Sequence, residues 1–102
     1  MDYEWDPCKE ATNIEKHAIS FVAAIAVFAD PHHLVADSTQ PEHGEVRSKA
    51  VGQIADGRII TVVYTMRGGV RRIISARKAR RNEKRAYDGA ERPLRDQGQA
   101  AG

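Results

Sequence analysis

Cysteine is almost missing from this chain. Cys8 is the only one in 102 residues, so no internal disulfide can form, and a reducing compartment is the expectation. A long apolar run is missing too. The longest, Phe21 to Ala29, falls far short of the roughly 20 residues that cross a bilayer and reads as a core helix. The first residues, MDYEWD, are acidic where a secretory signal would be basic. Together these absences predict a soluble, cytoplasmic protein with no membrane partner. Paired Cys motifs and HExxH are absent. His32, His33 and His43 lie near Asp30 and Asp37 in the sequence, but adjacent histidines on a strand point to opposite faces. No metal site and no cofactor are therefore expected. Cys8 itself stands at a helix start without a supporting motif and reads as structural.

What is present is a divided charge. Residues 1–45 hold nine acids and two lysines, a net of −7, and residues 46–102 hold fourteen bases and five acids, a net of +9; these sum to the overall +2. The basic half culminates in RRIISARKARRNEKR, Arg71 to Arg85, eight bases against Glu83 alone. A folded domain with such a region offers a site for phosphate. The hydrophobic content of 41% suits a single small globular domain over residues 1–88, and the polar segment 89–102 reads as a disordered tail.

Local signals predict an α+β fold. Tyr3–Trp5 is a short edge strand or an anchor. Asp6-Pro7 starts a helix running to about His17, with Ala11, Ile14 and Ala18 inward. Ser20 caps a second helix over Phe21–Ala29, apolar nearly all round, which Asp30-Pro31 stops. A short strand over His33–Asp37 and a strand over Glu45–Ala55 follow. Gly52 within the latter suggests a bulge or a close backbone approach. Asp56-Gly57 predicts a type I′ hairpin, and Gly68-Gly69 a second tight turn. Arg58–Arg67 is apolar on both faces and belongs mid-sheet. Val70–Ala76 is the next strand, and Lys78–Tyr87 a basic helix. The prediction is two N-terminal helices, an antiparallel meander of about four strands and a C-terminal helix.

Strand alternation assigns Arg72, Ile74 and Ala76 to one face and Arg71, Ile73, Ser75 and Arg77 to the other. A turn at Gly68-Gly69 sets Arg67 opposite Val70 and Arg77 opposite about Ile60, so these two arginines are not neighbours by register. The residue types suit RNA cleavage by the 2′-hydroxyl, which needs a base, an acid, and cations for the phosphorane. Arginine matches phosphate oxygens with its fork. His17 is a candidate acid or base, against a plain helix-capping role. Glu45 is the leading carboxylate, unless it simply pairs with Arg47. Tyr64 and Tyr87 are candidates to stack a base or donate a proton, with Tyr64 more at home in the core.

Taken in order, WDPxKxxxNxxKH (Trp5 to His17), Phe21, VFxD at Val27–Asp30, ExR at Glu45–Arg47, RIISARxAxxxE (Arg72 to Glu83) and Tyr87 resemble the BrnT toxins of type II toxin–antitoxin systems. The match runs over about residues 3–88. The resemblance implies a RelE-like fold and a ribonuclease that arrests translation. It further implies a BrnA-like ribbon-helix-helix antitoxin as partner, in a 2:2 complex. Carried over by position, it points to His17, Glu45, Arg47, Arg67, Arg77 and Tyr87 as catalytic. Lys49, Arg72, Lys78, Arg80 and Arg81 would bind RNA. Trp5, Asp6, Lys9 and Asn13 would dock the first helix. Two other readings of the basic region are a toxin that blocks a protein target, as ParE does with gyrase, and a nucleic-acid-binding accessory protein.

Overall fold

The computed structural model describes residues 1–91; most of the polar C-terminal segment lies outside the described residues. The elements in order are β1 (Asp2–Glu4), α1 (Pro7–His17), α2 (Phe21–Ala24) continuing as a 3₁₀ turn (Ile25–Ala29), β2 (Leu34–Asp37), a second 3₁₀ turn (Pro41–His43), β3 (Ser48–Gln53), β4 (Ile59–Arg67), β5 (Val70–Lys78) and α3 (Arg81–Glu91). The five strands form one sheet in the order β1-β5-β4-β3-β2. The α+β class is as expected, with one strand more than the four predicted. β1 makes the difference: it pairs parallel to β5, Tyr3 opposite Arg71, at the far edge of an otherwise antiparallel sheet. α3 starts three residues later than predicted, because Lys78 still pairs with Ile60, and it reaches into the segment read as tail.

β4 is central, as its apolarity on both faces requires. Ile60, Val62 and Tyr64 meet Ala50, Ile73 and Ala76 on one face, where Phe21, Ala24 and Val27 from the helical layer close the core. The last turn of the second helix tightens to 3₁₀ and delivers Asp30 to the end of β3, where its Oδ2 accepts from the Gln53 N–H at 2.9 Å. Gly52 permits this approach. A Cβ there would stand 3.0 Å from Val27 Cγ1 and 3.1 Å from His33 Cβ. The two hairpins differ. Gly68 and Gly69 both have positive φ, the type I′ requirement. At Asp56-Gly57 only Gly57 does, so the predicted I′ turn gives way to a three-residue loop closed by the Gly57 N–H to Ile54 carbonyl bond, 2.9 Å, and the Ile54 N–H to Arg58 carbonyl bond, 3.0 Å.

The predicted inner face of α1 is wrong. Ile14 is 46% exposed, whereas Asn13 is buried. The helix docks through one amide. Asn13 Nδ2 donates to the Ile19 and Ala76 carbonyls at 2.9 and 2.8 Å, and its Oδ1 accepts the Ala76 N–H at 3.1 Å. β1 runs beside β5 only as far as Arg72, so Ala76 lies on an edge without a strand partner, and Asn13 satisfies it. A second departure lies in β5 itself. Val63 pairs with Ser75 but Tyr64 with Ile73, leaving Ile74 as an extra, bulged residue. The bulge reverses the alternation. Arg71, Ile73 and Ala76 therefore share the core face, while Arg72, Ser75 and Arg77 share the other. Arg77 lies opposite Thr61, one rung from the expected Ile60.

Replacing Asn13 with Ala strands three buried backbone groups and is expected to cost about 3 kcal/mol. Asn13→Asp should cost more, since it aims a carboxylate at two carbonyls. Urea unfolding at neutral pH checks both, and an Asn13→Ala midpoint equal to that of the unaltered protein would refute the edge-capping role.

Candidate functional site

On the face away from the core, pairing aligns Lys49, Val63 and Ser75 in one row across β3, β4 and β5, and Val51, Thr61 and Arg77 in the next. The start of α3 covers the second row. The first stays open and floors a cavity of about 240 Å³. Arg47, Lys49, Arg77 and Arg80 line it, joined by Ser38, Gln40 and His43 from the β2–β3 connection and by Ile74 and Ser75 from the bulge.

Glu83 holds the cations in place. Its side chain is 3% exposed. It receives Arg77 through both terminal nitrogens at 2.7 and 2.9 Å, Lys49 Nζ at 2.8 Å and Thr61 Oγ1 at 3.0 Å. It also accepts the Arg80 backbone N–H at 2.8 Å, the reach-back of an acid at the third position of a helix to its cap. One carboxylate thus ties β3, β4, β5 and α3 together. Arg77 first, then Lys49, the Arg80 N–H and Thr61, outweigh the cost of burial and hold its carboxyl far below the usual range.

A second acid sits at the rim. Glu45 accepts from Arg47 Nε and Nη2 at 3.2 and 3.1 Å and from Arg67 Nη2 at 3.3 Å. Those two arginines lower its pKa, so it is ionised at neutral pH and a weak proton acceptor. The Arg80 guanidinium makes no ion pair among the described residues.

Of the residues singled out from sequence, Arg47, Lys49, Arg77 and Arg80 come together here, with Glu45 beside them. Arg67 does not join Arg77. Their rungs lie six positions apart along β4, ~20 Å at strand spacing. His17, exposed at the end of α1, lies across β5 in a neighbouring depression. Arg72 pairs with Glu4 at 2.7 Å at the other end of the strand. Lys78 and Arg81 are exposed and outside the cavity lining. Tyr87 is 2% exposed and donates to Asp30 Oδ2 at 2.6 Å, closing α3 onto the sheet instead of facing solvent. Sequence reasoning overlooked two participants. His43, which the sequence offers only as a metal-ligand candidate, stands two residues before Glu45 in the same loop and lines the cavity. Glu83 appeared as the odd acid in a basic run, although its place at a helix start signals capping. Among the described residues no group of three or more His, Cys, Asp or Glu side chains converges as metal ligands, and no helix is long and apolar enough to cross a membrane.

The sequence matches the family model for the ribonuclease toxin BrnT of type II toxin–antitoxin systems over residues 5–83. The fold is similar to the crystal structure of the Brucella abortus ribonuclease toxin BrnT, with a TM-score of 0.63, 29% identity, and 79% of this chain and 99% of that one covered. No curated protein sequence matches significantly.

Glu83 also sets a pH dependence. Its folded pKa lies below the ordinary 4.5, so its contribution is complete above that value and is lost as pH falls beneath it. Unfolding free energy should therefore be level near neutrality and decline below about pH 5. Glu83→Gln, which strands Arg77 and Lys49, should lose about 3 kcal/mol at pH 7 and show a shallower acid decline. Denaturant titrations across pH check this; parallel curves for the two proteins would contradict it.

Proposed function

The chain belongs to the BrnT family of ribonuclease toxins of type II toxin–antitoxin systems, and on that premise we propose that it is a metal-independent endoribonuclease whose reaction occurs in the basic cavity on the open sheet face. What supports this reading is the convergence of Arg47, Lys49, Arg77, Arg80 and His43 around one 240 Å³ cavity. The scissile phosphate sits against Arg80, Arg47 and the spare donors of Lys49. Arg77, committed to Glu83, supplies charge at the rear. The 2′-hydroxyl oxygen attacks phosphorus, its proton passes to a base, and the 5′ oxygen leaves with a proton from an acid. His43 is the proton carrier at this cavity in place of His17. The cations stabilise the phosphorane. Cleavage of cellular RNA arrests translation.

An antitoxin is the partner that a type II system implies. A BrnA-like antitoxin would present an acidic segment to the basic region, where Arg81, Lys84 and Arg85 share the exposed side of α3.

Purified protein should cut RNA in excess EDTA, and His43→Ala should slow cleavage by about 10² to 10⁴. Arg80→Ala should cost about 10² without loss of stability. Arg77→Ala is a poorer probe, because it uncovers a buried carboxylate. RNA left intact while gyrase is inhibited would overturn the reading in favour of a target-blocking toxin.

A further inference from the structure

α1 meets the sheet with the wrong kind of stripe. Lys9, Thr12, Asn13, Lys16 and His17 stand at i, i+3, i+4, i+7 and i+8, the spacing at which a surface helix ordinarily carries its apolar contacts. Asn13 alone of these is buried, and it anchors the helix to the edge of β5. On either side of that anchor the polar stripe borders a depression of about 340 Å³ between α1 and β5. Ile74 and Ser75 close its far wall, and the same two residues line the basic cavity. The bulge thus forms a saddle, Ile74 and Ser75, shared by two cation-lined hollows. Neither acid of α1, Glu10 or Glu15, forms an ion pair with Lys9 or Lys16 among the described residues. Glu10 turns to α2, where its Oε2 accepts the Phe21 N–H at 2.9 Å.

We propose that the α1–β5 depression is a second RNA subsite, in which Lys9 and Lys16 hold the phosphates of the strand flanking the scissile bond after it crosses the Ile74–Ser75 saddle. This rests on the endoribonuclease reading and extends it to substrate length. Ammonium groups on exposed, flexible stems make point contacts with phosphate and read no base, so the subsite favours longer single-stranded RNA without a sequence rule. It also gives a reason for a basic, polar stripe where apolar residues would pack the helix more tightly.

The test uses fully 2′-O-methylated RNA, which lacks the attacking hydroxyl, as a dodecanucleotide and as a dinucleotide. Binding is followed by fluorescence anisotropy across salt. In the K9A/K16A variant, affinity for the dodecanucleotide should fall about tenfold, and the slope of log affinity against log salt should shrink by about 0.7 per lysine. The loss should disappear with the dinucleotide, and K9R/K16R should restore dodecanucleotide binding. Circular dichroism verifies the fold of each variant. An unchanged slope and affinity for the long RNA would overturn the proposal. So would an equal loss for both lengths, or undiminished RNA binding with lost antitoxin binding, which would assign the depression to the antitoxin. Unmodified protein that neither binds nor cuts RNA would instead remove the endoribonuclease reading, and this subsite with it.

Discussion

The Glu83 carboxylate is the constraint from which the rest of the site follows. A nearly buried anion is tolerated only if its lone pairs are filled, and here Arg77, Lys49, Thr61 and the Arg80 N–H fill them. Each partner belongs to a different place in the chain. Satisfying one acid therefore fixes the spacing of three strands and the start of α3 at once. It also fixes which cations remain for a ligand. Arg77 has its fork occupied, Lys49 keeps spare donors, and Arg80, whose backbone is held while its guanidinium is unpaired among the described residues, stands at the mouth. A cluster of bases without such an acid would repel itself; with it, the charge is held in place and still net positive.

The fold uses the same economy at its edges. Asn13 takes the place that a longer β1 would occupy beside Ala76, and Asp30 joins the 3₁₀ turn, β3 and Tyr87 of α3. Polar side chains thus position both the first and last helices, while the apolar core secures the central strands. That division leaves cationic side chains along both the open-face cavity and the α1 groove. Arg71, stacked 3.9 Å from the Phe28 ring centroid on the core side, shows the other fate of a base in this chain: a cation spent on packing.

What the sequence made legible tracks how local each determinant is. β4 announced itself by apolarity on both faces, the Gly68-Gly69 turn by the φ it needs, and Gly52 by its want of a side chain. The inner face of α1 was not legible, because the helix docks through an amide meeting a strand edge 63 residues away rather than through an apolar stripe. β1 was hard to place because three residues carry no period. The bulge at Ile74 leaves no mark in a run of good strand formers, yet it decides which arginines share a face. The separation of Arg67 from Arg77 followed from turn register alone. The gathering of His43 with Arg47 and Arg80 did not, since it depends on how the β2–β3 connection and the first turn of α3 lie over the sheet.

A crystal structure of the protein with a non-cleavable dinucleotide tests the central claim most directly. The account predicts the phosphate in the open-face cavity, bonded by Arg80, Arg47 and Lys49, with His43 beside the ribose and Arg77 still paired to Glu83 through both nitrogens. A phosphate bound elsewhere, or an Arg77 that leaves Glu83 to reach it, would contradict the account.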